Sequence, residues 1–206
     1  MSTSPKLLRS CSISANRIVV DGSYVFDGQH NEFADFARAA FKQLAIDYPK
    51  FHKMDNLSKL GFLAAEYLIS ATEFNSDSAA DKAGIFLTNA NSSIDTDLRY
   101  NAQVQQGLAS PALFVYTLPN IVIGEISIRH GFKGENSLFV AEQYDAEAQV
   151  SYITTLFADS VIDKCLGGWI DFFKQDYRAF FYLAAASDAP YLSDYSAENV
   201  ATLFTT

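Results

Sequence analysis

Cysteine is scarce in this chain. Its 206 residues contain two cysteines, Cys11 and Cys165, which are far apart and form no CxxC pair. This excludes a disulfide framework, and a reducing compartment such as the cytoplasm is the simplest expectation. Proline is also rare, with five residues, and no stretch rich in glycine or proline divides the sequence. We therefore expect a single domain over residues 1–206.

Basic charge and long hydrophobic runs are lacking as well. The formal net charge is −9, with 15 basic residues against 24 acidic ones. A nucleic-acid partner needs basic patches, so we expect none. No apolar stretch approaches the ~20 residues of a membrane-spanning helix, and the N-terminus lacks the apolar run of a signal peptide. The sequence thus predicts neither a membrane span nor secretion.

Common catalytic and cofactor motifs are a third absence. The sequence contains no GxGxxG or GxxxxGK phosphate loop and no GxSxG nucleophile turn. His30, His52 and His130 are scattered and lack the spacing of metal ligands. We expect no cofactor and no metal. His130 precedes Gly131 at a predicted helix end, where a cation would favour the helix dipole.

Carboxylates and thiols offer only weak candidates for catalysis. Glu142, Asp145 and Glu147 could suggest acid–base chemistry, but a first helical turn also prefers acidic residues. We interpret them as helix-start residues. Cys165 lies in an apolar stretch and is expected to be a buried, inert thiol.

Hydrophobic and aromatic residues are plentiful. About half of the chain is apolar, with 17 Phe and 11 Tyr, enough for a full core and a buried partner surface. Strand and helix patterns alternate, which indicates a layered α/β fold. We predict strands at 7–26, 83–89, 138–141, 160–168 and 177–186, helices at 32–46, after Asp55, at 96–108, 120–131 and from Ala146, and an apolar loop at 110–120.

Several segments resemble the N-terminal half of β-ketoacyl synthases, which are condensing enzymes of the thiolase fold. They are MDNLSKLGFLAAEYLI (54–69), AGIFLTNANSS (83–93), SPALFVYTLPNIVIGEISIRHGFKGEN (110–136) and SVIDKCLGGWID (160–171). The resemblance is closest over residues 54–172. It implies an α/β, thiolase-like half-fold, with one mixed sheet and helices on its faces.

The resemblance also implies that this chain is not an enzyme by itself. Active ketosynthases carry GPN, then four residues and TAC, whose cysteine is the nucleophile. The same count from GEN leads here to AEQ, which places Gln143 at the nucleophile position. Chain length factors, the silent partners of ketosynthases, also carry glutamine there. The family's catalytic histidines lie in a C-terminal half that has no counterpart after residue 171.

A chain-length-factor-like subunit would form a heterodimer with a full-length ketosynthase and shape its acyl pocket in fatty acid or polyketide biosynthesis. The resemblance suggests an aryl polyene or flexirubin-type pathway. Acyl carrier proteins are acidic and would dock on the ketosynthase, meeting this acidic chain only indirectly. By resemblance, the strand before the nucleophile pairs across the subunit interface, and the 110–120 loop reaches the partner's pocket. The resulting interface and pocket candidates are Phe114, Tyr116, Leu118, Ser137, Leu138, Phe139, Val140, Ala141, Gln143 and Tyr144.

Two other functions stay open at this level. The chain could be a homodimeric remnant of the ketosynthase fold that binds an acyl chain or another hydrophobic ligand. It could also be an enzyme of new chemistry that uses Glu142 or Asp145. The aromatic residues at 114–118 could simply pack in the chain's own core. The sequence leaves open whether residues 175–206 complete the sheet or reach over a partner.

Overall fold

The computed structural model describes residues 4–69, 72, 74, 77–186 and 190–205. Within them, one mixed sheet of eight strands lies between two layers of helices. The strands are β1 (Lys6–Ser14), β2 (Arg17–Val20), β3 (Ser23–Asp27), β4 (Ala83–Asn89), β5 (Asn136–Val140), β6 (Lys164–Phe173), β7 (Asp176–Ala185) and β8 (Ser193–Asp194). The helices are α1 (Phe33–Gln43), α2 (Asn56–Ile69), α3 (Ile94–Gln105), α4 (Pro111–Val115), α5 (Ile121–His130), α6 (Ala146–Ala158) and α7 (Ala197–Thr205), with short 3-10 helices at Pro49–Lys53 and Asp77–Lys82.

The strand order across the sheet is β3-β2-β1-β7-β6-β4-β5, and β8 pairs with the start of β1. β4 runs parallel to both β5 and β6, whereas the other neighbours are antiparallel. The strands at the two ends of this order are β3 and β5, and the two-residue β8 pairs with β1 alone. This mixed sheet confirms the α/β fold class that the sequence predicts.

The centre of the sheet is covered on both faces. In β7, Phe181 and Leu183 pack with α1, α2 and α5, whereas Phe180 and Tyr182 pack with α6 and α7. Successive side chains of a strand point to opposite faces, so a strand covered on both sides must be apolar throughout. This explains the unbroken apolar run in β7.

Helix ends follow the local sequence. The Asp55 carboxylate accepts a hydrogen bond from the Ser58 N–H at 2.9 Å and caps α2, the helix predicted after Asp55. Gly131 has a φ of 72° and ends α5, also as predicted. Asp145 caps α6 by accepting from the Ala148 N–H at 2.9 Å.

Two predictions about local structure were wrong or incomplete. The segment 110–120 is not a loop throughout, because the Ser110 hydroxyl caps a short helix with Pro111 at its first position. The strands predicted at 160–168 and 177–186 form a ten-residue antiparallel pair at the centre of the sheet. Residues 176–185 therefore complete this sheet, and α7 covers part of one of its faces.

His130 departs from its predicted role as a cation at the end of α5. Its side chain is only 4 % exposed, and burial lowers the pKa of the imidazole to about 4. The ring is therefore neutral at ordinary pH. Cys165 is fully buried, and burial raises the pKa of its thiol, as expected for an inert cysteine.

None of the helices in the described ranges is long and apolar enough to cross a bilayer. The same residues bring no group of three or more His, Cys, Asp or Glu side chains into an arrangement that could hold a metal ion.

Candidate functional site

The predicted interface strand lies at an edge of the sheet. β5 pairs with β4 so that Leu138 stands opposite Leu87, and the Leu138 side chain packs against the main core. Phe139 and Val140 are 45 % and 58 % exposed. The predicted strand extends one residue too far, because β5 ends at Val140 and Ala141 follows it. Ser137 lies within β5 and is half-buried.

Gln143 lies in the turn that connects β5 to α6. It precedes the capping residue Asp145 by two positions, and its side chain is exposed. Together with Glu142 it lines an open cleft of about 620 Å³ between this turn and Ala201 of α7. The glutamine therefore does not fill a hole inside its own chain. Its carboxamide is accessible to a partner surface.

Tyr144 turns inward from the same connection. Its hydroxyl donates a hydrogen bond to Gln149 Oε1 at 2.7 Å, and its ring lies 4.7 Å from the ring of Phe204. Trp169 and Phe180 pack edge-on against the same ring. Burial raises the pKa of the phenol. Tyr144 thus packs mainly in the chain's own interior, although it is half-buried and also lines the cleft beside Gln143; its contact with a partner stays a prediction.

Gln149 organises this region and was not among the predicted site residues. Its Oε1 accepts hydrogen bonds from Tyr144 and, at 2.9 Å, from Tyr182, while its Nε2 donates to the Gly168 carbonyl at 3.0 Å. The side chain therefore ties α6 to β6 and β7 in a buried polar network. One signal was available in the sequence, since Gln149 precedes Ile153 by four positions on the otherwise apolar face of α6.

The carboxylates near the turn show no catalytic arrangement. Asp145 caps α6, and Glu142 and Glu147 are exposed. Asp145 and Glu147 therefore lie at the start of α6 as interpreted, whereas Glu142 lies in the preceding turn, three residues before the cap.

The 110–120 segment divides into exposed and buried positions. Phe114 and Leu118 are 55 % and 56 % exposed, and Val115, which the sequence analysis did not single out, is exposed as well. Tyr116 is 8 % exposed, and its hydroxyl donates to Glu125 Oε1 at 3.0 Å. Tyr116 is therefore part of the core of its own chain, which is the alternative given for the aromatic residues at 114–118, and its role in a partner's pocket stays a prediction.

Helix α3 packs very little against the rest of the chain. Of its 12 residues only Thr96 is buried, and the Thr96 hydroxyl donates to Asp55 Oδ2 at 2.7 Å. Burial raises the pKa of Asp55. The Tyr100 ring lies 5.4 Å from that of Phe114, so α3 and α4 are neighbours. We call residues 94–118 the arm; its exposed large apolar side chains are Ile94, Leu98, Val104, Leu108, Phe114, Val115 and Leu118.

No family model matches the chain, and no curated protein sequence matches it either. Among solved structures, it is similar to the ishigamide ketosynthase/chain length factor, with 16% identity and a TM-score of 0.66 over 90% of this chain and 63% of that one. It is also similar to a structure of the ketosynthase ApeO in complex with its chain length factor ApeC from Xenorhabdus doucetiae (12% identity, TM-score 0.59, 98% and 90% covered).

A third similar structure contains a type II polyketide synthase acyl-carrier protein in complex with its ketosynthase, AntDE:AntF. The identity is 13% and the TM-score 0.59, over 88% of this chain and 62% of that one. The chain thus spans less than two thirds of the length of the ishigamide and AntDE chains that it matches. At such identities the likeness concerns the fold, and the chain has the ketosynthase-like fold of these ketosynthase and chain length factor structures.

Proposed function

We propose that this chain is a non-catalytic, chain-length-factor-like subunit that pairs with a full-length ketosynthase and shapes its acyl pocket. It would act in fatty acid or polyketide biosynthesis, and an acyl carrier protein would meet the complex through the ketosynthase. The aryl polyene or flexirubin-type pathway is part of the proposal through sequence resemblance. The observation that carries the proposal is the exposed, apolar edge strand β5 in a fold shared with ketosynthase complexes.

The two edges of the sheet differ in how well they are protected. At the β3 edge, the pairing with β2 contains a register shift between Ile18 and Val19, and Gln43 Nε2 donates to the Val25 carbonyl at 2.7 Å. Bulges and covering side chains are common protections against unwanted pairing. β5 pairs with β4 in regular register and, within the described residues, on one side only. This contrast supports β5 as the edge that a partner strand joins.

The arm supports the same proposal. A helix of 12 residues is only marginally stable without packing. α3 is held at its first turn while apolar side chains such as Leu98 and Val104 are exposed. A partner surface that covers the arm would remove these side chains from water.

The two cysteine thiols and Gln143 support a subunit that has no condensing activity of its own. A carboxamide such as that of Gln143 cannot form a thioester with an acyl group. The chain's two cysteines, Cys11 and Cys165, are both fully buried, and burial raises the pKa of each thiol. Neither is placed to act as a nucleophile.

Co-expression with ketosynthases encoded nearby, followed by purification through a tag on this chain, tests the proposal. We expect one ketosynthase to elute in a one-to-one complex and to be active only in that complex. Phe139→Asp places a charge on the outer part of β5 and should abolish co-elution. Tyr24→Asp, an exposed position on the opposite edge strand β3, is the matched control and should retain it. A clean homodimer that ignores every ketosynthase offered would overturn the proposal in favour of a ligand-binding homodimer.

A further inference from the structure

A polar chain, buried at Tyr116 and Glu125 and exposed at Lys50, connects the arm to the body of the protein. The Glu125 carboxylate on α5 is buried; its Oε1 accepts from the Tyr116 hydroxyl at 3.0 Å, and its Oε2 lies 2.7 Å from Lys50 Nζ. Lys50 belongs to the 3-10 helix that precedes α2, and α5 packs against α2 in the main core. Tyr116 is thus fixed to two elements outside the arm.

A second hydrogen bond holds the next residue, Thr117. The Ser93 hydroxyl, directly before α3, donates to the Thr117 carbonyl at 2.7 Å, and Ser93 is buried. The Tyr116 side chain and the Thr117 backbone are therefore each held by a buried polar residue outside the arm. The neighbouring side chains of Phe114, Val115 and Leu118, which we call the rim, are exposed.

The contribution of these polar residues to the stability of the fold does not by itself explain their presence. Burying a carboxylate is costly, and well-packed apolar side chains of similar size often stabilise a core as well or better. What a buried carboxylate held by a hydrogen bond and an ion pair provides is one defined geometry. A geometry fixed in advance matters most for side chains that meet a partner or a substrate.

We propose that Tyr116, Glu125 and Lys50 are positioning residues that hold the rim in one orientation, so that the rim limits the length of the acyl chain in the partner's pocket. The inference rests on the proposed function and adds the residues that control it. The rim side chains contact the acyl chain or its pocket; the three polar residues act through them.

Hydrogen exchange on the isolated chain tests the positioning without a partner. The amide groups of Tyr116, Thr117 and Leu118 donate to carbonyls within the segment and are expected to be protected. Tyr116→Phe removes the bond to Glu125 and should speed their exchange several-fold. Tyr67→Phe is the matched control, because the Tyr67 hydroxyl donates to the Ala40 carbonyl at 2.9 Å and links α2 to α1. Equal exchange in the two variants would overturn the positioning role.

Product length in the complex tests the consequence. The co-purified ketosynthase would be supplied with a short acyl thioester primer and a malonyl-loaded carrier protein. Tyr116→Phe and Lys50→Met should broaden the product lengths at least about twofold relative to the unmodified complex, whereas Tyr67→Phe should leave them unchanged. Unchanged lengths in an intact complex of the Tyr116 variant would refute the inference while leaving the proposed function standing. If no ketosynthase co-purifies, the proposed function and the acyl-length role fail together, and hydrogen exchange still decides whether Tyr116 holds the rim.

Discussion

The imidazole of His130 couples the stability of the fold to mildly acidic pH. It is buried at the end of α5, with Nε2 3.3 Å from Glu66 Oε1, and burial lowers its pKa from about 6.5 to about 4 despite that carboxylate. Between these values the unfolded chain binds a proton that the folded chain does not. Stability should therefore fall as the pH drops from about 6.5 to about 4, by at most ~3 kcal/mol from this residue.

Urea unfolding at a series of pH values measures this effect. His130→Gln should flatten the dependence of the unfolding free energy on pH in this window. His52→Gln, which removes an exposed imidazole, should retain the dependence of the unmodified chain. The same slope in the His130 variant would show that other groups cause the loss.

Gln143 and Gln149 show which site residues could be predicted from the sequence and which could not. Gln143 could be singled out because its role follows from a count along a short, local motif. Gln149 could not be assigned, because its partners include Tyr182 and the Gly168 carbonyl, which come from strands more than ten residues away along the chain. The burial of Tyr116 was one of the alternatives for the 114–118 aromatic residues, but its hydrogen bond to Glu125 could not be predicted from the sequence.

At the level of elements, β6 carries a glycine that the sheet requires. Gly168 has a φ of 144°, and a Cβ added there would lie 1.9 Å from the Phe180 carbonyl oxygen of β7. Neither backbone can move without breaking the central strand pair. Gly168→Ala should cost at least ~4 kcal/mol of unfolding free energy or prevent folding.

A second glycine provides the matched control. Gly124 lies inside α5, and a Cβ added there meets nothing within 4 Å. Because glycine weakens a helix interior, Gly124→Ala should stabilise the chain by about 1 kcal/mol. Urea unfolding of both variants compares the two effects directly. Equal stabilities would contradict the strain assigned to Gly168.

The sequence predicted best those helices and strands whose ends are marked by nearby residues. β4 matches its prediction at both ends, and α2 begins after Asp55 as expected. The hairpin of β6 and β7 was not predicted, because its two-residue turn, Lys174–Gln175, lacks the glycine or asparagine that usually marks such a turn, although Lys174 adopts a φ of 59°. Helix α7 was not predicted either, because its Val200 packs against a sheet face that the sequence does not reveal.

On the scale of the whole molecule, the exposed apolar surface is concentrated in one part of the chain. The arm and the outer half of β5 together expose nine large apolar side chains between residues 94 and 140, and α5 adds Ile128. The formal charge of −9 favours dispersal of separate copies, but it does not cover this surface. The chain should therefore remain free of self-association in solution only when a partner covers this surface.

Sedimentation of the isolated chain over a range of concentrations tests this expectation. Without a partner, the mean mass should rise with concentration, because the β5 edge and the arm bind other copies weakly and without one fixed geometry. Phe139→Asp should reduce this self-association, whereas Tyr24→Asp should not. In the complex with a ketosynthase, the mass should be constant and equal to one copy of each chain. A homodimer that persists unchanged at all concentrations would instead favour the ligand-binding alternative, since the apolar surface would then be covered by a second copy.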